Sequence, residues 1–365
     1  MHANMQKSVY LILIFLCSTN IYAGIRPSFY LDSCAWRATD IIIATEGDVI
    51  DGKFTVIDSI KGNLQSGQTI SIPELALFRS KSLRLIQTPF YGNKDDHPKY
   101  VSGSRMILFL KRKPQLANAK GSVVNAKSSN VWEPASDEGM NVSVIWIEGE
   151  QSFAFIQLIN PGDSLLVEYG KSEEQIRERS LEVIQIQDSL NTAIAIPDKS
   201  KRAEALSFFA SSDLYLAQEL AFEELQKCGD AALPILRNML NDNSKLELHN
   251  DVIASMTKVG GKSVGAELTE IIRDELLYWK VNAPRLKDGW WNQIDDPETQ
   301  VLRGHYMKLY QSLRSLNTLE FADAKAVVTE LRDFWRSLPQ LEDRSGLDQM
   351  SKECDNFLLK ISREH

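Results

Sequence analysis

ELQKCGDAALPILRNMLND, Glu224–Asp242, reads as the end of one helix, a sharp turn and the beginning of another. Upstream of the turn, Leu214, Ala217, Ala221, Leu225 and Cys228 recur at three- and four-residue steps, which lines one face of a helix with apolar side chains. Gly229 ends that run, because glycine enters the left-handed backbone region without a Cβ clash, and Asp230 follows as a candidate N-cap. The second helix carries Ala232, Leu233, Leu236, Met239 and Leu240, with Pro234 in its first turn, where no amide donor is needed.

The plan is repeated at once. Leu248, Val252, Met256 and Val259 form a stripe, Gly260 and Gly261 make a turn, and Val264, Leu268, Ile271 and Ile272 line a returning helix. With Gly229 set on Gly260, the residues Phe222, Leu225, Cys228 and Leu233 fall on Ile253, Met256, Val259 and Val264, a spacing of 31. Beyond the turn, Leu236 and Leu240 match Leu268 and Ile272 at a spacing of 32, so the second copy holds one extra residue near its corner. One amphipathic hairpin cannot bury its own apolar face, so neighbours stack and share it.

On these residues the stretch resembles a HEAT repeat, with its turn ahead of a Leu-rich second helix. The resemblance implies stacked helical pairs that present a surface to a protein or peptide partner. Two copies are legible, and the second lacks the proline. A non-repeating helical bundle is the alternative. Further apolar stripes continue in either case, at Leu302, Tyr306, Leu309, Leu313 and Leu316, at Val327, Leu331, Phe334 and Leu338, and at Leu347, Met350, Cys354, Phe357, Leu358 and Ile361. Ile176, Val183, Leu190 and Ile194 form an earlier one, with Ser172 as its N-cap and Glu173 and Glu174 where the helix dipole favours them. Residues 169–365 are therefore expected to be an all-α array.

Residues 24–168 read differently. Asp40–Gly47, Lys53–Gly62, Gln68–Leu75, Arg105–Lys113, Asn141–Gly149 and Ser152–Leu158 are short, rich in β-branched and aromatic residues, and separated by Gly, Pro, Asn and Asp. In the second of these runs parity breaks near Ile57, which predicts a bulge or twist there. Strands gathered ahead of helices give an α+β chain with an antiparallel barrel or sandwich first. Cys34, Ala38, Asp40, Lys61 and Gly62 also resemble the opening of netrin-like and tissue-inhibitor-of-metalloproteinase domains, which implies an OB-like barrel. The inhibitor chemistry is not implied, since no Cys-x-Cys pair exists and the expected mature chain starts at Gly24.

Residues 1–23 have the form of a signal peptide: Lys7, an apolar run from Val9 to Cys17, then Ala23 before Gly24. Cleavage after Ala23 and export to the periplasm or the outside are expected. Ile21 is bulkier than the usual small residue two positions before Ala23, which leaves a retained anchor as the alternative. Leu16 ahead of Cys17 argues against a lipoprotein. Without this segment, 40 Lys and Arg face 49 Asp and Glu, a formal charge of −9. Such a chain is a poor match for nucleic acid or an anionic membrane, and no later run reaches a transmembrane length. The basic run Leu110–Pro114 reads as a solvated strand edge.

Catalytic motifs are missing. No Gly-x-Ser-x-Gly, His-Glu-x-x-His or Cys-x-x-Cys occurs, and Val259–Ser263 lacks the first glycine of a phosphate loop because Met256 stands there. Asp95, Asp96 and His97 carry metal-ligating atoms, yet adjacent loop residues rarely all face one ion, so a solvated loop is preferred. His249 and His305 read as isolated packing or surface residues. Cys228 and Cys354 lie on apolar stripes as small hydrophobes, while the pairing of Cys34 is left open. No cofactor is expected. The candidate interaction residues are Trp279, Trp290 and Trp291, near Tyr278 and the acidic Asp288, Asp295, Asp296 and Glu298, in a long connection between helices. The alternative for these rings is a cap on the end of the stacked core. The expectation is an exported, non-enzymatic interaction protein; the rival is an enzyme or inhibitor whose site, at the domain boundary, combines Asp95 and His97 with the Trp-rich loop.

Overall fold

The computed structural model describes residues 29–47, 52–72, 75, 105–112, 132–135, 141–157, 164–283, 286, 290, 296–338 and 345–363. Residues 1–23, Asp95, His97, Asp288, Trp291 and Asp295 lie outside them. The chain divides into two compact units, Met1–Gln187 and Asp188–His365. The first takes in most of a helix that the sequence reading assigned to the second domain.

The first unit is built on one eight-stranded sheet, antiparallel at every pairing. Its strands are β1 (Asp40–Glu46), β2 (Lys53–Lys61), β3 (Thr69–Ser71), β4 (Arg105–Arg112), β5 (Trp132–Pro134), β6 (Asn141–Glu148), β7 (Gln151–Gln157) and β8 (Ser164–Glu168). The order is β3-β2-β1-β4-β6-β7-β8, with β5 also on β4. All six strands expected from the sequence are present; β5 and β8 are additional. Ile43 pairs with Asp58 and Ala44 with Val56, so Ile57 is skipped and forms the bulge that broken parity predicted.

The sheet is open: β3 and β8 end the path without meeting, so the expected barrel does not close. Covering helices supply the reason. Asp58 and Lys61 pair with Ile43 and Ile41, and Arg105 shares their face of the sheet with Ile107, the partner of Ile43 on β4. From that face Arg105 grips Glu173 at 2.5 and 2.7 Å, Arg177 pairs with Asp58, and Lys61 Nζ donates to Gln187 at 2.8 Å. These partners belong to one helix, α2 (Glu173–Ile194), whose Ile176 and Val183 are fully buried. Ser172 caps it as expected, its Oγ accepting from Gln175 N while Gln175 returns a bond to Ser172 N. A short helix, α1 (Leu31–Arg37), joins through Arg179, which clamps Asp32 at 2.6 and 2.8 Å. The opposite face gathers Ile42, Ala44, Phe54, Val56, Met106, Leu108, Val144 and Trp146 into a second apolar layer.

The basic run at the end of β4 is not a free edge. Leu110–Arg112 pair with β5, and Arg112 turns onto the buried Asp40 at 3.2 and 3.3 Å. Thr39 Oγ1 and Asn63 N donate to the same carboxylate. A Cβ on Gly62 would sit 2.0 Å from Asp40 Oδ1, and this residue also holds φ +94°, so only glycine fits.

The second unit continues with α3 (Lys199–Ala210), α4 (Tyr215–Cys228), α5 (Leu233–Leu240), α6 (His249–Gly260), α7 (Gly265–Asn282), α8 (Pro297–Leu319), α9 (Lys325–Ser337) and α10 (Ser345–Ser362). Helices α4/α5 and α6/α7 are the two hairpins read from the sequence, and α8/α9 is a third. Each corner is a short 3-10 segment: Gly229–Ala232, Gly261–Val264 and Ala322–Ala324. Gly229 takes φ 65°, ψ −143° and Gly261 takes φ 53°, ψ −138°, so these two are equivalent. The alignment of Gly229 on Gly260 is thus corrected by one residue. Gly260 is the last residue of α6 and has the right-handed conformation of Cys228; it is itself the extra residue.

Adjoining corners touch. A Cβ on Gly260 would lie 3.5 Å from Leu233 of the first corner, and one on Gly265 would strike the ring of Phe321 at the third. Second helices run side by side, with Arg237 of α5 on Glu267 of α7 at 3.0 Å and Lys280 of α7 on Glu330 of α9 at 2.6 Å. First helices do the same, Gln226 of α4 bonding Ser255 of α6 at 3.0 Å. No helix among the described residues is long and apolar enough to cross a membrane. Cys34, Cys228 and Cys354 are buried, Cys228 and Cys354 as free thiols.

Candidate functional site

Of the aromatic residues singled out in the sequence, Trp279 and Trp290 go inside, while Trp291 lies outside the described residues. Trp279 is 0% exposed and Trp290 4%. Trp279 packs against Trp335 of α9 at 5.4 Å, Trp290 at 6.3 Å and Tyr306 of α8 at 6.5 Å between ring centres. Burial also pushes the Tyr306 hydroxyl well above the usual phenol range. This cluster knits α7, α8 and α9 together, and α10 packs beyond it on α8 and α9, so it fills a joint instead of closing an end. In this conformation neither indole is open to a partner.

Beside that cluster the same helices assemble a polar group that sequence periodicity did not reveal. Glu275 on α7 is 3% exposed. It accepts from His305 Nδ1 of α8 at 2.9 Å and faces Lys308 Nζ, one turn further along α8, at 3.3 Å. A carboxylate can only accept here, so Nδ1 of His305 carries a proton. Tyr278 stacks on the imidazole at 3.6 Å between ring centres and 17° between planes. Desolvating Glu275 is tolerated because two cationic or donor groups satisfy it.

His249, at the start of α6, is fully buried and lies within the electrostatic reach of Lys308 and Glu275. Its Nε2 lies 3.2 Å from the main-chain oxygen of Asp242, which can only accept, so Nε2 holds the proton. Its Nδ1 has no hydrogen-bond partner among the described residues. Burial, reinforced by the Lys308 charge, holds this imidazole below its ordinary range. The sequence shows each histidine alone on its helix. They come near Glu275 and Lys308 only because hairpins stack, a relation no spacing within one helix encodes.

Chemically, the carboxylate, imidazole and ammonium form one oriented, hydrogen-bonded polar group. Among the described residues His305 Nε2 has no nucleophile hydrogen-bonded to it, and no group of three His, Cys, Asp or Glu could hold a metal ion. In the sheet unit the notable titratable group is Glu46, 3% exposed, whose carboxyl burial pushes up to about 8. Comparison with known proteins adds no family: no protein-family model, no curated protein and no solved structure matches the chain.

Proposed function

We propose that the protein is an exported, non-enzymatic binding scaffold whose HEAT-like array offers its row of second helices to a protein or peptide partner. One observation carries the reading: adjoining corners bring α5, α7 and α9 side by side, and α7 leaves Leu277 and Val281 57% and 74% exposed one turn apart on that row. Exposed apolar side chains on a helix that also carries the charged pairs Arg273–Glu270 and Lys280–Glu330 fit the anchor-and-rim pattern of a contact surface. Asp40 and Gly62 meet at positions that carry the netrin-like resemblance, but the open sheet is not the closed barrel that resemblance implies. Export rests on residues 1–23 alone.

A photo-cross-linking residue placed at Leu277 or Val281 tests the surface. A discrete adduct that is lost with Val281→Asp and not formed from Lys258, on α6, supports the reading; no adduct at either position contradicts it. Intact mass beginning at Gly24 in the exported fraction tests the address, and a retained Met1 in that fraction contradicts cleavage.

Enzymatic action is the second reading, favoured by the Glu275–His305–Lys308 group. His305→Gln would then abolish turnover without lowering stability; turnover kept in that variant removes this reading.

A further inference from the structure

We propose that the joint between the second and third hairpins is an acid-triggered release, in which protonation of His249 frees Asn243–Leu248 and the start of α6 from α8. The inference goes beyond binding and does not depend on which partner is bound.

Its basis is the way His249 is enclosed. Nε2–H is committed to the Asp242 carbonyl, so a second proton must enter at Nδ1, where no described acceptor waits. The new cation would stand in the field of Lys308. Room to relax is small, because Gly304 of α8 packs so closely on the 3-10 segment that a Cβ there would lie 2.7 Å from Leu246 Cβ. Packed joints of this kind switch between two arrangements more readily than they deform.

The surrounding charges do not cancel the effect. From α7, Glu275 favours the protonated ring but is already engaged by His305 and Lys308. The 3-10 segment brings Glu247, Lys245 and its cap Asp242, whose carboxylate favours the protonated ring but is bonded to Ser244, and α6 itself brings Asp251 and Lys258. Of the other elements on α6, α4 brings Glu224, paired with Lys227, and α5 brings Arg237, paired with Glu267. The remaining corners bring Asp230 and Lys262.

The sign follows from linkage. A base held neutral in the closed state takes up a proton only on opening, so opening is favoured as pH falls below the ordinary imidazole value of 6.5. One proton allows the open fraction to grow by up to about tenfold per pH unit. Histidine protonation is a recognised trigger of this kind.

Hydrogen exchange of the full-length protein at pH 7.5 and pH 5.5, corrected for intrinsic rates, reads the opening directly. Protection should fall in 243–260 and 302–309 and hold elsewhere in the array, and His249→Gln should abolish that acid response. An acid response unchanged in the variant overturns the proposal. If His249→Gln does not fold, the wild-type profile decides: loss confined to those two stretches supports the release, while uniform loss or none refutes it.

Discussion

In the sheet unit the side chains that hold elements together are far apart in the chain: Arg105 with Glu173 at a separation of 68, Lys61 with Gln187 at 126, Arg179 with Asp32 at 147. In the helical array they sit one hairpin apart, Gln226 with Ser255 at 29, Arg237 with Glu267 and His305 with Glu275 at 30. The first pattern makes the sheet depend on a helix that arrives last, so its apolar face stays uncovered until the chain has nearly completed the unit. The second lets each hairpin bury its neighbour's face as soon as both exist, which makes stability close to a sum of neighbouring terms. A defect should therefore spread through the whole sheet unit but stay near its own joint in the array.

The largest effect is expected at the joint richest in rings. Trp279→Ala should cost about 3–5 kcal/mol, read by urea denaturation, with exchange protection lost first in α7, α8 and α9. Equal loss across α3 to α5 would break the neighbour picture. Next comes Gly62→Ala, where a positive φ and the approach to Asp40 combine; it should cost about 2–3 kcal/mol and loosen β1, β2 and β4 together. Gly229→Ala and Gly261→Ala share only the backbone strain, with nothing within 4 Å of the added methyl, and should cost about 1–2 kcal/mol each. A Gly229 effect as large as that at Gly62 would contradict the difference drawn between the units.

The two units also differ in their response to pH. Glu46 stays protonated in the folded sheet up to about pH 8 while the unfolded chain ionises near 4.5, so its contribution is present at low pH and lost as pH rises between these values. The slope is at most about 1.4 kcal/mol per pH unit, and Glu46→Gln should flatten it in pH-dependent denaturation followed by exchange in β1 and β2. His249 acts in the reverse direction in the array. The smallest effect is expected from Lys280→Ala, which removes an exposed pair with Glu330 and should change stability by no more than about 0.5 kcal/mol.

Much of this architecture could be read from the chain because local chemistry wrote it there. β-branched runs between turn residues marked six strands, a break in alternation marked the bulge at Ile57, and Ser172 marked the start of α2. What was hidden depends on partners distant in sequence. β5 is three residues long and exists by pairing with β4. The third corner carries no glycine; Glu320 takes the left-handed conformation at φ 53° instead, so the usual signal was absent. Two adjacent glycines left the second corner ambiguous by one residue. Trp279 and Trp290 stood out by type, but the choice between interior and surface was made by α8 and α9 folding over them. Glu275 and Lys308 belong to ordinary helical sequence and gain meaning only where α7 meets α8.

The most direct test of stacking is a set of nuclear Overhauser contacts in the intact protein. Contacts from the Leu233 methyls to the Gly260 α protons, and from the Phe321 ring to the Gly265 α protons, should both appear, because the three corners adjoin. Absence of both, in a protein whose helices are otherwise intact, would show that the hairpins do not stack.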